Sequence, residues 1–545
     1  MVVDGSGTAA RRADLLVEAG RIAAVGQLPP LEGVAEVDLG GLTLAPGFID
    51  LHTHSDVALL RDGRGHSQIG QGVTLEVVGN CGFSCAPCAA DGTHAMGLGP
   101  ALGSAARWQD FAGYLDALSG GGDGLGLGLN VAALVGHGAL RHVVMPGVDR
   151  PADAAQTARM AALLDDCLAQ GAIGLSSGLE YLPGRAADEA ELTALCRCAA
   201  RRGALYTSHI RNRDADYERG LAEALRCARD AGVRLQVSHM TPKYGAPPGA
   251  AQHMREMVDR ARRDGVDAAF DLIPHEWGPT AVASVLPAWV FEGGPASRAA
   301  RLRAPDARAR IQAAPNPIWP LVRDRRWDDI VLFGGTAPRG LLGLSLAQIG
   351  RARGVDPFDA VLDLLAEAGD ELHTLAWVGR NFAASDTALL LAHGMAGVIS
   401  DAITLSADGP LGGWRWSPST WGWAARLLQR AHDDPATLPL PEAVRRLSAL
   451  PADRLVLADR GRIAPGAWAD LVAFEPDRVA DRTTLADPER APDGVVHVWG
   501  NGEAVLARGR PTGRRPGRVL NRSGAGERAG RAQPAAGTHA GEARR

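Results

Sequence analysis

Between about Phe48 and Asp401, short apolar runs alternate with longer stretches of helical periodicity. The runs centre on Ile49, Val77, Ala133, Ile173, Tyr206, Gln236, Ala269 and Val398. From the fourth to the seventh they recur at about 30-residue spacing, the length of one strand–helix unit. The helix between the fourth and fifth runs is the plainest. Asp188 caps it, Glu191 holds the reciprocal capping position, Leu192, Leu195, Cys196 and Ala199 form the apolar stripe, and Gly203 ends it. Eight such units predict an α/β fold of the TIM (β/α)8 barrel type, with functional residues at the C-terminal ends of the strands.

The remaining segments break this rhythm. Roughly 120 residues separate the seventh and eighth runs, too many for one connection. Residues 281–373 are therefore expected to form an inserted subdomain or lid, holding Leu286-Pro287-Ala288-Trp289 and a helix over Pro357–Ala368. At the flanks, Leu15-Leu16-Val17, Ile22-Ala23-Ala24-Val25, Asp470-Leu471-Val472-Ala473-Phe474 and Val495-Val496-His497-Val498-Trp499 read as short strands joined by Gly-containing turns. They predict a small β-sandwich built from both termini, residues 1–44 and 455–520, around a barrel domain over 45–454. The tail, 521–545, is Gly, Ala and Arg with almost no large apolar residue, a composition expected to be disordered.

Composition narrows the class. Apolar and charged contents of 46% and 22% are ordinary for a globular chain. A net charge of −5, spread along the sequence, makes no case for nucleic acid as a partner. No run approaches a membrane span and no charged-then-apolar signal segment opens the chain, so a cytoplasmic protein without membrane partners is expected. The seven cysteines are irregularly spaced, which argues against structural disulfides, and Cys81, Cys85 and Cys88 lack the partners of a zinc knuckle. Nothing in the sequence sets the oligomeric state.

The candidate chemistry lies at the ends of the runs. His52 and His54 follow the first; alternate side chains of an extended strand share a face, about 6.6 Å apart at Cα, a suitable bite for one metal. Cys81, His209, His239 and Asp401 end the second, fifth, sixth and eighth runs. One strand-end histidine is commonly a hydrogen-bonded structural residue, but this many metal-ligating side chains on one predicted rim point to a metal site. Binuclear hydrolases often bridge their metals with a carboxylated lysine. This chain has a single lysine, Lys243, ending no early strand, and the Cys81 thiolate is the natural substitute.

Ala45-Pro46-Gly47-Phe48-Ile49-Asp50-Leu51-His52-Thr53-His54 resembles the signature of the amidohydrolase superfamily. Val78-Gly79-Asn80-Cys81-Gly82-Phe83, Gly174-Leu175-Ser176-Ser177-Gly178-Leu179-Glu180-Tyr181, His209-Ile210-Arg211-Asn212 and Gly461-Arg462-Ile463-Ala464-Pro465-Gly466 resemble the N-acyl-D-amino-acid deacylases (D-aminoacylases), over all but the tail. The resemblance implies zinc held tightly by Cys81, His209 and His239, and a second, weaker site of His52, His54 and Asp401 bridged by Cys81. It implies Asp401 as the catalytic proton carrier and Tyr181 as a residue holding the amide, with rim packing the alternative for Tyr181. The expected activity is deacylation of small-molecule N-acyl-D-amino acids. Another linear or cyclic amide, or a non-catalytic metal-bound binding protein on the same fold, are the alternatives.

The departures from the family fall on substrate binding. Thr241 stands where a lysine usually contacts the substrate carboxylate, and Lys243 follows two residues later. The tyrosines expected after the seventh strand are replaced in Asp271-Leu272-Ile273-Pro274-His275-Glu276-Trp277. The usual His-Pro-Arg is absent near Trp414-Arg415-Trp416, and Arg213 occupies a position commonly glutamate. Lys243, Arg415 or Arg211 could rebuild the clamp. His137, His275 and Glu276 are weaker substrate-contact candidates. At the start, Val2-Val3-Asp4-Gly5 lacks the strand that usually precedes it, which predicts a frayed sandwich edge or a misassigned start.

Overall fold

The computed structural model describes residues 1–89, 108, 110–521 and 528–529. Each of the eight apolar runs yields a barrel strand: Phe48–Asp50, Val73–Val78, Asn130–Gly136, Gly174–Gly178, Leu205–His209, Arg234–Val237, Ala268–Leu272 and Ala396–Val398. Neighbours pair in parallel in chain order. The ring closes between the first and eighth strands, just beyond their ends, through a bridge between Thr53 and Ala402. There the His54 N–H donates to the Ala402 carbonyl at 2.8 Å and the Asp401 N–H to the His52 carbonyl at 3.1 Å. Below them the buried Asp50 carboxylate accepts from the N–H groups of His52 and Ser400, each at 3.2 Å. Ile49, Leu75, Val77, Leu134 and Ile399 fill the barrel interior.

The helix after the fourth strand, Glu189–Arg201, starts at Asp188, whose side chain accepts from the Glu191 N–H at 2.9 Å. The Glu191 carboxylate turns away from the cap and accepts the Ala152 N–H at 3.0 Å. It is buried against His137 at 2.8 Å and Arg141 at 2.6 Å, because two partners in a dry interior outbid one exposed N–H.

Between the seventh and eighth barrel strands lies an antiparallel sheet of Trp277–Ala281, Ala376–Arg380 and Ile330–Gly334. Its outer limits lie beyond 281–373, since Gly278 and Pro279 give the first of these strands no apolar signature. Four helices, Gly294–Arg303, Pro305–Ala313, Leu346–Arg353 and Pro357–Ala368, pack on it around a separate core that includes Leu302, Ile330, Leu365 and Trp377.

Both flanks meet in a five-stranded antiparallel sheet, Thr43–Pro46, Leu471–Phe474, Val495–Gly500, Glu503–Ala507 and Arg510–Pro511, with the hairpin Asp14–Glu18/Arg21–Gly26 against it across Ile22, Leu44 and Leu471. Val2 is buried and bridges Leu44 and Arg11. Arg518–Leu520 leaves this sandwich and pairs in parallel with Val131 and Ala132 of the third barrel strand. Beyond it, Arg528–Ala529 pairs with Arg518 and Val519; of the tail expected to be disordered, residues 522–527 and 530–545 lie outside the described residues. No described helix is long and apolar enough to cross a membrane.

Candidate metal centre

The strand ends deliver six side chains to one point. Cys81 Sγ lies 3.2 Å from His52 Nε2, 3.5 Å from His209 Nδ1 and 3.5 Å from His239 Nε2. Asp401 Oδ1 lies 3.5 Å from His52 Nε2 and 3.2 Å from His54 Nε2. His52, His54 and Cys81, then Cys81, His209 and His239, then His52, His239 and Asp401 form overlapping trios whose ligand atoms lie within 4.8 Å of one another. Cys81 belongs to two of them, which suits a bridging thiolate.

The local backbone is built for this convergence. Cys81, His239 and Asp401 adopt left-handed φ values of 52°, 36° and 50°, a conformation that costs a non-glycine residue about 1–3 kcal/mol. Side chains hold each turn. Asn80 donates to the carbonyls of Leu51 and Val77, and Ser176 accepts the Gly82 N–H at 3.0 Å. A β-carbon at Gly178 would stand 1.9 Å from the Cys81 carbonyl oxygen, so glycine is required there. Asp271 Oδ1 accepts the His239 N–H at 2.6 Å, while its other oxygen takes the Gln236 amide.

The donor set fits a borderline-soft cation. Burial pushes His52 down to about 3 and His209 down to about 4, so both rings are neutral donors. Burial and the nearby Asp401 push the Cys81 thiol up, so its thiolate form needs a cation beside it. Burial raises Asp401, yet the His54 hydrogen bond and the neighbouring imidazoles outweigh it and hold the carboxylate below its ordinary range. Thiolate, imidazole and carboxylate together suit zinc. Glu180 accepts from His209 Nε2 at 2.6 Å, the kind of outer contact that fixes a ligating ring.

Two spaces adjoin the six residues. A polar recess of about 10 Å3 is lined by Glu180, Arg213, His239, Lys243 and Asn381. A larger cavity of about 490 Å3 opens on the His54 side, against Phe83, Trp414 and Trp416. Tyr181, Pro279 and Asp401 line both. Tyr181 lies edge-on to His209 with ring centroids 4.8 Å apart, and its hydroxyl meets Thr280 at 3.3 Å.

The cations proposed for the clamp separate by their partners. Lys243 lies in the recess, paired with Glu180 at 2.5 Å and donating to the Ile318 carbonyl at 2.6 Å. Arg415 does not face it: its side chain pairs with Glu489 at 3.3 Å. The neighbouring Trp416 is the residue on the site, donating to the Asp401 carbonyl at 3.0 Å. Arg211 is committed to Glu223 and to the carbonyls of Arg185 and Ala187. Arg213 turns inward instead, 5% exposed, bonded to the His239 carbonyl, with its Nε lacking a partner. His137 is buried on Glu191, and His275 ties Asp481 and Ser419, so neither reaches the recess. Sequence reasoning passed over Glu180, Asp271 and Arg213 as site residues. The one signal available was position, each falling at or just past a strand end.

A family model described as the amidohydrolase family matches residues 35–315 and 382–506, leaving out much of the inserted segment. An N-acyl-D-glutamate deacylase of Alcaligenes xylosoxydans xylosoxydans is 35% identical over 524 residues, 96% of this chain and 95% of its own. A D-aminoacylase of the same organism is 31% identical over 535 residues, 96% of each chain. A solved N-acyl-D-glutamate deacylase from Bordetella bronchiseptica, complexed with zinc and a phosphonate mimic of the tetrahedral intermediate, superposes with a TM-score of 0.78 at 33% identity, covering 95% of this chain and 98% of that one.

Proposed function

The chain belongs to the amidohydrolase family, and within it to the N-acyl-D-amino-acid deacylases, and on that premise we propose that it is a zinc-dependent enzyme cleaving the linear amide of an N-acyl-D-amino acid to a D-amino acid and a carboxylate. The observation that carries this reading is the meeting of Cys81 with three imidazoles at 3.2–3.5 Å, beside a buried aspartate.

Cys81, His209 and His239 would hold the tight zinc, and His52, His54 and Asp401, with Cys81 shared, a second and weaker one. When bound, zinc acidifies water and polarises the amide carbonyl. Asp401 accepts the attacking water's proton and returns it to the departing nitrogen, which leaves poorly unless protonated. Tyr181, at the junction of recess and cavity, orients the amide. Glu180 fixes the His209 ring, and Trp416, bonded to the Asp401 carbonyl and 6.2 Å from the His54 ring, shields the proton carrier from bulk water. Residence in the cytoplasm is supported by the seven cysteines, none of them in a disulfide.

The test is amine release from paired N-acetyl-D- and N-acetyl-L-amino acids by zinc-loaded and metal-free protein. Zinc-dependent turnover confined to D substrates is expected. Asp401→Ala should lose about 10²- to 10⁴-fold in kcat while keeping its fold. A fully active Asp401→Ala protein would overturn the mechanism.

A further inference from the structure

We propose that this enzyme selects N-acyl-D-amino acids whose single carboxylate binds Arg213 and whose side chain and acyl group are both apolar, rejecting the acidic amino acid named for its glutamate-deacylating relatives. The inference rests on the deacylase reading and adds the substrate class.

The carboxylate end follows from the recess. Its room is that of one small polar group, so it admits a carboxylate oxygen and excludes a side chain. Its two cations differ in what they have left to offer. The Lys243 ammonium already holds Glu180 and the Ile318 carbonyl. Arg213 retains a buried, unpartnered Nε on a guanidinium stacked 5.8 Å from the Phe382 ring, and a buried donor of this kind costs stability until a ligand meets it. Arg213 is thus the recess cation with a donor left for a carboxylate.

With the recess filled, everything else on the amide must occupy the cavity. Its volume of about 490 Å3 falls in the range of sites for drug-sized ligands, more than acetyl and a short side chain need. Its walls include Phe83, Leu286, Phe291, Trp414 and Trp416. The carboxylates that line it offer a second carboxylate no partner: Asp56 and Glu292 are acidic themselves, Asp149 pairs with Arg185 at 3.0 Å, and Asp401 belongs to the candidate ligand set. The one guanidinium among the lining residues, Arg298, is paired with Asp370 at 2.8 Å. His373 stacks on Phe291, and burial pushes it down to about 4, so it supplies no cation. A glutamate or aspartate side chain here would be a desolvated anion without a partner, whereas an apolar group gains from every buried carbon.

The experiment is a matrix of kcat/KM on zinc-loaded enzyme: N-acyl-D-Leu, -D-Phe, -D-Glu and -D-Asp, each as the acetyl and the hexanoyl derivative. The apolar amino acids should exceed the acidic ones by about tenfold or more, and hexanoyl should equal or exceed acetyl. Arg213→Met, with zinc content verified, should raise KM about tenfold or more at nearly unchanged kcat, and Arg213→Lys should recover part of it. Acidic substrates turned over as well as apolar ones would overturn the selectivity and leave the deacylase reading standing. Failure of every N-acyl-D-amino acid would overturn both. An Arg213→Met enzyme with wild-type KM would remove Arg213 from the clamp.

Discussion

At the residue scale, the centre is held by strain that its neighbours offset. Cys81, His239 and Asp401 sit in left-handed backbone, and each would relax toward an ordinary turn if its supports were removed. The His239 turn shows how: Asp271 grips its N–H at 2.6 Å and is itself held by Gln236. Asp271 touches no candidate metal directly through its carboxylate, yet without it the imidazole loses its aim. Asp271→Ala is expected to bind zinc about 10- to 100-fold more weakly, with near-wild-type circular dichroism. Competition against a chromogenic chelator measures this, and unchanged zinc affinity would mean that the sheet alone sets the His239 geometry. The same scale explains which of the side chains that meet at the candidate centre could be picked out in the sequence. His52, His54, Cys81, His209, His239 and Asp401 could, because ligand chemistry and strand-end position coincide. The arginines could not. Arg211, Arg213 and Arg415 are equivalent on paper, and Glu223 on the next helix and Glu489 farther along the chain decide which one turns inward.

At the element scale, the barrel strands were legible because buried parallel strands are short apolar runs separated by amphipathic helices. The inserted sheet's first strand, interrupted by Gly278 and Pro279, and the short strand Arg518–Leu520, paired at two positions with the third barrel strand, carry no such pattern. The helix Glu189–Arg201 was legible by its cap and stripe, though not in the use it makes of Glu191. Burial raises the Glu191 carboxyl, but the His137 hydrogen bond and the Arg141 guanidinium prevail and hold it at about 2, below its ordinary 4.5. The ionised form therefore favours the fold. Its contribution is complete above about pH 4.5 and fades as the pH falls toward 2. Glu191→Gln strands the fully buried Arg141 and should cost on the order of 3–5 kcal/mol at neutral pH. Denaturant unfolding of both proteins from pH 7 to pH 3 should show this gap narrowing below pH 4.5. A gap independent of pH would show that the loss is packing rather than charge.

At the scale of the whole molecule, the candidate centre lies over the weakest part of the barrel. The eighth strand has three residues, and its closure with the first is one bridge, Thr53 to Ala402, backed by the bonds around Asp50. The six candidate ligands come from both sides of this seam and from three other strands, so bound zinc would cross-link a ring that its own ladder closes poorly. The inserted sheet and its helices have a separate core and no share in that seam. Zinc binding should therefore stabilise the molecule unevenly. At a hundredfold excess of free zinc over Kd the folded state gains about 2.7 kcal/mol, which should appear as a raised Tm. Amide exchange should slow most over 51–54 and 399–402 and little over 330–334 in the inserted sheet. Removing the metal by chelation should reverse both effects, and His52→Ala, which cuts the link on one side of the seam, should blunt them. Uniform protection across barrel and insert would mean instead that the seam is already closed without zinc, and that the metal serves the chemistry alone.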